Sequence, residues 1–458
     1  MLITSPTMGG GAFQTGTIYG HPRGLAYLAF TEMWERFSYY GMTALLTLYM
    51  VKQLLLPGHA EQVLGLDGLR HLFEFRGPMS DLAFASLIYG WYGGLVYFTP
   101  ILGGLIADRW LGAKRTVVIG ALLMSAGHLA MSFDASFLIA LGLLILGSGC
   151  LKGNISAQVG TLYPQAAESL RERGFTIFST GINIGAVIGP LATVLVAAMY
   201  GWHAGFALAA GLMLLALVIY LAGQRHLPEP PVIRSKGAAR VALTSDERRL
   251  SRALVAVIAL TIPVSIAYPM IWSLGIVWID AEVRLATGLG MVPAGWFNSL
   301  DSLGSILAAA PLVALWAAQA RRKAEPASLT KLAIGSAIMA LSIALLSLGS
   351  LLPGADGKVA VWWAIAAYLG GGLAFMWYWP VTLSIVSALA PPPVKSTLMG
   401  GAFIAPFLGT VIMGWVGSFY DQITPAAFWA LDAAIALAGA LLIMVVRRPL
   451  ARILATSG

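Results

Sequence analysis

Long runs of apolar residues recur along the chain from residue 23 to residue 447. Each run is close to the roughly 20 residues that a helix needs to cross the hydrocarbon core of a bilayer. The runs are continuous, whereas strands of a membrane barrel alternate apolar and polar positions. The pattern therefore predicts twelve transmembrane helices, at residues 24–52, 82–107, 115–133, 136–160, 175–199, 203–223, 253–279, 293–318, 330–351, 360–388, 397–419 and 425–446.

Two connections between the predicted helices are longer than the others. Residues 53–81 form a first loop of mixed charge, and residues 224–252 form a basic linker that contains several prolines. The linker predicts an N-terminal six-helix bundle at 1–223 and a C-terminal six-helix bundle with a cytoplasmic tail at 253–458. Membrane transporters built from two such repeats bind their substrate near the bilayer midplane, between the repeats.

Composition and charge agree with a membrane protein. Of 458 residues, 58% are hydrophobic and only 10% are charged, against about 25% charged in soluble domains. When both termini are placed in the cytoplasm, 21 of the 28 Lys and Arg residues fall on the cytoplasmic side and five on the other. This bias follows the positive-inside rule. It predicts a multi-pass protein of the inner or plasma membrane, and it explains the net charge of +8 without nucleic-acid binding.

The first predicted helix holds Glu32, Glu35 and Arg36, and the fourth holds Lys152. Each would cost at least ~2.5–3.5 kcal/mol at the bilayer centre, so we expect them to face a cavity together. The first three share one helical face with Tyr39 and Tyr40, because their spacings are three and four residues. Protonating one glutamate would leave the group net positive and able to hold a carboxylate, which couples a proton to a substrate. A static ion pair that only orients helices is the alternative.

The segment after the second predicted helix is rich in glycine and charge. It runs Gly-Gly-Leu-Ile-Ala-Asp-Arg-Trp-Leu-Gly-Ala-Lys-Arg from residue 103 to residue 115. It resembles the signature loop of the major facilitator superfamily. We expect Asp108 to lie at the N-terminal dipole of the next helix and to pair with basic residues. The resemblance implies a gating loop that contains Asp108, Arg109, Lys114 and Arg115.

Three elements together resemble the proton-dependent oligopeptide transporter family. They are Glu-x-x-Glu-Arg-Phe-x-Tyr-Tyr from residue 32, Lys152 within Gly-Ser-Gly-Cys-Leu-Lys-Gly-Asn, and Phe-x-x-Phe…Ile-Asn-x-Gly…Pro from residue 175. The resemblance implies an all-α membrane protein with the major facilitator fold. It would have twelve transmembrane helices in two six-helix bundles, and the short linker leaves no room for an extra helix pair.

That family also implies a function. The chain would import di- or tripeptides or peptide-like small molecules by proton symport and alternating access, with the proton gradient as energy source and no cofactor. By resemblance, proton coupling and carboxylate binding fall to Glu32, Glu35, Arg36 and Lys152. The resemblance also places four residues near the substrate cavity of the family: Tyr39, Tyr40, Tyr89 and Asn154.

The chain departs from the family pattern mainly in its C-terminal half. Trp272 and Phe375 stand where the family usually has acidic residues, and Asp301 stands where it usually has an asparagine. An arginine of the first helix is replaced by Thr43. We include Trp272, Asp301 and Phe375 among the expected substrate-binding residues. Asp301 either takes over the amine-binding or proton-sensitive role, or it is protonated or hydrogen-bonded within the bundle.

These departures leave two other functions open. One is a major facilitator carrier for a non-peptide carboxylate, a drug or a metabolite, and the other is a membrane receptor that does not transport. An enzyme is not expected, since the sequence shows no nucleotide loop, metal-ligand pair or nucleophile–base spacing. We expect a monomer in the lipid bilayer whose partners are protons and a small molecule with a carboxylate.

Overall fold

The computed structural model describes residues 17–164, 168–228, 243–288 and 290–455. The described part before residue 229 forms seven α-helices, namely α1 (Arg23–Tyr49), α2 (Leu66–Phe73), α3 (Asp81–Ile106), α4 (Ala113–Ala130), α5 (Phe137–Thr161), α6 (Glu168–Tyr200) and α7 (Trp202–Gly223). A short antiparallel pair of strands, β1 (Thr17–Ile18) and β2 (His21–Pro22), precedes them.

The described part after residue 242 forms eight α-helices, namely α8 (Ser245–Leu260), α9 (Ile262–Glu282), α10 (Phe297–Arg321), α11 (Ser328–Leu351), α12 (Val361–Leu389), α13 (Lys395–Gly401), α14 (Ile404–Gly417) and α15 (Pro425–Ala455). Strands β3 (Ala286–Thr287) and β4 (Gly290–Met291) form an antiparallel pair between α9 and α10.

Ten helical segments of the described chain are long and apolar enough to cross a membrane. Helices α1 and α4 occupy two further predicted spans but are less apolar. Helix α1 carries Glu32, Glu35 and Arg36, and α4 has only 18 residues and begins next to Lys114 and Arg115. The protein is a multi-pass membrane protein, and the count of twelve spans stays a prediction.

Four predicted features differ from the structure. The first loop contains the short helix α2. The seventh predicted helix begins at Ser245 instead of residue 253, because Thr244 and Glu247 form a capping box that starts α8 inside the predicted linker. The same span is divided at Thr261, where Pro263 enters the first turn of α9 and cannot donate a backbone hydrogen bond. The eleventh predicted helix is divided into α13 and α14.

Helices of the two halves meet mainly at α3 with α14, α6 with α10, and α1 with α9. Small residues allow the first contact: a Cβ at Gly90 would lie 2.7 Å from the Cα of Gly414. In the second, Ser299 Oγ donates to the carbonyl of Val187 at 2.7 Å. In the third, the hydroxyls of Thr47 and Ser273 are 3.0 Å apart, and Lys52 pairs with Asp280. These contacts join the halves toward the end of the fold where α1 finishes and α3 begins.

Candidate functional site

A buried ion-pair cluster lies in the middle of α1. Arg36 Nε is 2.9 Å from Glu32 Oε1 and 2.5 Å from Glu35 Oε2. The three residues are 6%, 3% and 0% exposed, respectively, so they lie out of contact with lipid. Helix α6 packs closely against this turn of α1 at Gly185. A Cβ at this position would lie only 2.2 Å from the carbonyl oxygen of Met33, so the close approach requires glycine.

The cluster is not saturated with hydrogen bonds. Glu32 Oε2, Glu35 Oε1 and Arg36 Nη2 are buried without a partner among the described residues. Buried polar groups without partners are costly, and in a native structure they are explained by strain, by a functional role or by a bound water or ion. The cluster therefore has both the charge and the free hydrogen-bonding capacity to take a proton or an anionic group.

Lys152 of α5 lies near this cluster but does not pair with its glutamates. Its Nζ is 4.3 Å from the ring centroid of Tyr39 and 5.9 Å from that of Tyr97. Arg36 Cζ is 5.6 Å from the same Tyr39 ring. In the described structure no Lys152–carboxylate distance falls within 4.0 Å, so the expected four-residue ion cluster forms only in part. Tyr39 lies between the two cations and interacts with each through its ring.

The C-terminal half contributes a second buried acid. Asp301 of α10 is 2% exposed, and its Oδ2 accepts a 2.6 Å hydrogen bond from the hydroxyl of Tyr268. Phe375 of α12 stacks on the Tyr268 ring at 5.5 Å. Trp272 lies one turn after Tyr268 on α9, close to the Asp301 carboxylate but without a hydrogen bond to it in the described structure. The structure thus brings together the three residues that replace family positions in this half.

Tyr40 and Trp272 join the two groups across the interface between the halves. Their ring centroids are 5.4 Å apart, and Tyr40 also meets Tyr39 edge to face at 5.2 Å. Aromatic contacts therefore connect Lys152 with the surroundings of Asp301. A substrate held between the two halves would contact residues of both.

The structure shows the surroundings of two further residues that were expected near the cavity, Asn154 and Tyr89. Asn154 donates to the carbonyl of Cys150 at 2.8 Å and to that of Gly103 at 3.3 Å, so its amide joins α5 to α3. Its expected place near the substrate stays a prediction. Tyr89 is buried in α3.

The segment after α3 differs from the expected loop. Residues Ala107–Leu111 continue the helix as a π-helical turn, which ends at Gly112 with φ of 78°. Asp108 and Arg109 are exposed, and Asp108 has no ion-pair or hydrogen-bond partner in the part of the chain that the structure describes. The N-cap of α4 is Gly112, without a side-chain cap. The expected placement of Asp108 at the helix dipole is therefore wrong in this conformation.

The basic residues of this segment are separated. Lys114 donates to the carbonyl of Gln224 at 3.1 Å, which links α4 to the end of α7, and Arg115 is exposed.

Tyr268 is a residue of this site that the sequence analysis did not predict. Its signal in the sequence is its position one turn before Trp272, which places both side chains on one face of the helix. Only the packing of α9 against α10 shows that its hydroxyl reaches Asp301.

Buried charges between two helical bundles of a membrane protein are typical of secondary transporters, which use them for ions and substrates. Comparison with known proteins agrees. The family model described as the POT family matches residues 114–244 and 232–431. The chain therefore belongs to the POT family.

Named relatives cover nearly the whole chain. A di-/tripeptide transporter of Lactococcus lactis subsp. cremoris is 29% identical, over 96% of this chain and 97% of that protein. The peptide transporter YePEPT of Yersinia enterocolitica is 29% identical, over 94% of this chain and 95% of that protein. The expected family, and a transporter rather than an enzyme, are confirmed.

Solved structures give the same result for the fold. A crystal structure of a peptide transporter POT with sulfate has a TM-score of 0.81 and 27% identity, with 96% of this chain and 97% of that one covered. A POT family transporter in complex with 5-aminolevulinic acid has a TM-score of 0.82 and 25% identity, with 96% and 99% covered. The all-α major facilitator fold is confirmed.

Proposed function

We propose that this chain is a symporter that imports di- or tripeptides, or peptide-like small molecules, together with protons. The observation that carries the proposal is the buried group of Glu32, Glu35 and Arg36, which is close to Lys152 and joined by aromatic contacts to Asp301. The names of the relatives support a peptide as the substrate. Transport would proceed by alternating access, with residues 1–223 rocking against 253–446 and with no cofactor besides the proton gradient.

The charge balance of the site explains why a proton should accompany the substrate. With all five groups ionised, the three carboxylates outnumber Arg36 and Lys152 by one negative charge. One bound proton makes the site neutral, and a zwitterionic peptide then adds no net charge. Neutrality matters because uncompensated charge is expensive at membrane depth.

Proton coupling would act through the partners of Arg36. In the structure both glutamates hold its guanidinium. Protonation of Glu35 weakens its attraction for Arg36 and frees the guanidinium for a substrate carboxylate, which it binds with two parallel hydrogen bonds. Lys152 has no carboxylate partner in the described structure, so its ammonium is available for the same carboxylate.

The amino end of the substrate would lie in the C-terminal half. Asp301 is the acid nearest to the apolar wall formed by Trp272 and Phe375, and the Tyr268 hydroxyl fixes the orientation of its carboxylate. Its second oxygen, Oδ1, has no hydrogen-bond partner in the described structure. That oxygen is the proposed acceptor for a substrate ammonium.

A second candidate is a carrier for a smaller, non-peptide amino acid or carboxylate. Two specific observations favour it: Phe375 stands where the family usually has the glutamate that receives a peptide amine, and one solved relative contains 5-aminolevulinic acid. The third possibility is a membrane receptor. In that case ligands would bind to the protein, but no transport across the membrane would be measured.

The orientation and conformation belong to the same proposal. We place the chain in the cell membrane as a monomer, with both termini in the cytoplasm; the distribution of basic residues supports this orientation. The contacts of Lys52 with Asp280 and of Thr47 with Ser273 then close the outer side, which makes this conformation inward-facing. The exposed segment with Asp108, Arg109, Lys114 and Arg115 would latch the inner side in the outward-facing state.

Uptake into liposomes tests this proposal. Purified protein is reconstituted, an inward proton gradient is imposed, and uptake is measured from a mixed pool of labelled peptides and organic acids. Concentrative peptide uptake supports the first function, and uptake of acids alone supports the second. Ligand binding with no uptake of any compound would establish a receptor and contradict both.

A further inference from the structure

A groove opens at the end of the C-terminal bundle that holds the last residues of α15. It has a volume of about 550 Å³, within the range of about 300–1,000 Å³ typical of ligand sites. The start of α11, the last turns of α12 and the last turns of α15 form its walls. We call it the α11–α15 groove. None of the residues that line it belongs to the proposed transport site.

One part of the α11–α15 groove is basic. Arg447 and Arg448 line it, and none of its described lining residues is acidic. Arg447 Nη1 donates to Thr330 Oγ1 at 3.3 Å, which holds the guanidinium over the first turn of α11. Arg448 is exposed and has no partner in the described part of the chain. The 24-residue helix α11 has no side-chain cap at its N-terminus, so its first N–H groups add positive potential there.

The other part of the groove is apolar. Ile385 and Leu389 of α12 lie opposite Leu454 of α15. An inorganic anion would use the basic part and leave this part empty. The combination of a basic head site with an apolar wall, at the end of membrane-spanning helices, complements a molecule with an anionic head and a hydrocarbon tail.

We propose that the α11–α15 groove binds one anionic phospholipid, with its phosphate at Arg447 and Arg448 and the start of one acyl chain along Ile385, Leu389 and Leu454. Basic pockets between helices on the cytoplasmic side of membrane proteins recognise such head groups. Because the groove is bounded by α12, which carries Phe375, lipid occupancy would brace a helix of the transport site.

Native mass spectrometry of the full-length protein tests the proposal. The protein is exchanged into nanodiscs with equal amounts of phosphatidylglycerol and phosphatidylcholine, extracted, and its retained lipids are counted. The test variant is Arg447→Gln/Arg448→Gln. The matched control is Arg321→Gln/Arg322→Gln, which removes two exposed charges that do not line the groove.

Each basic residue near an anionic membrane surface contributes roughly a fivefold gain in lipid affinity. The test variant should therefore retain phosphatidylglycerol about 30-fold less tightly than wild type, and the control, whose charges do not line the groove, should lose clearly less. Equal loss in both variants, or wild-type protein that retains both lipids equally, would contradict the proposal.

A second variant keeps the test decisive if the arginine variant folds poorly. Ala388→Trp fills the groove beside Leu389 without removing charge, and it should also release phosphatidylglycerol. Two results would identify another occupant. Displacement of the lipid by millimolar glycerol phosphate would mean that only the phosphate is recognised. An unchanged Ala388→Trp variant would mean that no acyl chain lies there, and either result would overturn the lipid assignment.

Discussion

The hydroxyl of Tyr268 donates a 2.6 Å hydrogen bond to Oδ2 of Asp301, and the two residues come from different helices of the C-terminal half. The bond leaves Oδ1 of the same carboxylate without a partner in the described structure. A carboxylate that is oriented through one oxygen and open at the other is suited to receive an ammonium. This relationship makes Asp301 the centre of the proposed amine site.

Replacing the acid tests that role. Asp301→Asn keeps the size of the side chain and removes its charge, so affinity for peptides with a free amino terminus should fall about tenfold or more, as expected for a hydrogen bond to a charged group. Affinity for the same peptides with an acetylated amino terminus should not fall. Competition against a labelled substrate in liposomes measures both. Wild-type transport by the variant would show that Asp301 only joins helices.

Removing the orienting hydroxyl should give a weaker form of the same effect. Tyr268→Phe keeps the ring that stacks on Phe375 and loses the bond to Asp301, so the loss of substrate-binding free energy should stay below the roughly 1.5–3 kcal/mol of a hydrogen bond to a charged group. The Michaelis constant for peptides should rise, and the acetylated peptides should again be unaffected. Tyr378→Phe is the control, since it removes a hydroxyl from the same aromatic group without touching that bond. Equal effects of the two changes would refute an orienting role.

The ion-pair cluster should couple transport to protons. In Glu35→Gln the side chain keeps its shape but no longer exchanges a proton, so a pH gradient should not drive peptide accumulation. Exchange of labelled for unlabelled peptide at equal concentrations needs no net proton movement and should persist. Arg36→Lys serves as comparison, because it loses the planar guanidinium and should impair both processes. A Glu35→Gln variant that still accumulates peptide would assign coupling to another residue.

The close crossing of α3 and α14 should depend on Gly90. An added methyl group there would lie 2.7 Å from Gly414 Cα, and such overpacking typically costs about 1–3 kcal/mol. Gly90→Ala should therefore lower the thermal midpoint and slow the return to the outer-closed conformation. Gly104→Ala on the same helix is the control, since no atom lies within 4 Å of its added Cβ. An equal thermal midpoint for the two variants would show that the crossing of α3 and α14 accommodates the added methyl group and does not depend on Gly90.

A surface ion pair gives a prediction about pH. Arg284 donates to both carboxylate oxygens of Asp356 at 2.8 and 2.6 Å, and these bonds lower the pKa of Asp356 to about 2. Since that pKa lies below the ordinary value of about 3.9, the contribution of the pair is present above about pH 4 and is lost as the pH falls toward 2. Between about pH 5 and 8 the pair does not titrate. The pH profile of transport by Asp356→Asn should therefore overlay that of wild type, and a displaced profile would be unexpected.

The sequence predicted the α1 cluster well because the 3.6-residue helical repeat alone places Glu32, Glu35 and Arg36 on one face. The cost of charge at membrane depth then placed that face away from lipid. The position of Lys152 over Tyr39 could not be predicted, because it depends on how closely α5 approaches α1. The Tyr268–Asp301 bond depends in the same way on the packing of α9 against α10.

The gating segment shows a different limit. Its glycine and charge pattern indicated a loop, yet the helix continues through Trp110, since no residue stops it before Gly112 adopts a positive φ. In a carrier, the hydrogen bonds and ion pairs of Asp108 would differ between the inward-facing and outward-facing conformations. A single sequence pattern does not show which set is present in a given conformation. The short helix α2 was missed because eight residues of mixed charge resemble a loop.

Proton entry during peptide uptake is the most direct test of the account. Liposomes that contain the wild-type protein and a pH-sensitive dye are given external peptide, with no pH gradient imposed and the membrane potential clamped at zero. The account predicts that the interior acidifies as labelled peptide enters, and that Glu35→Gln abolishes this acidification. Peptide entry without acidification in the wild type, or peptide binding without entry, would contradict proton-coupled transport.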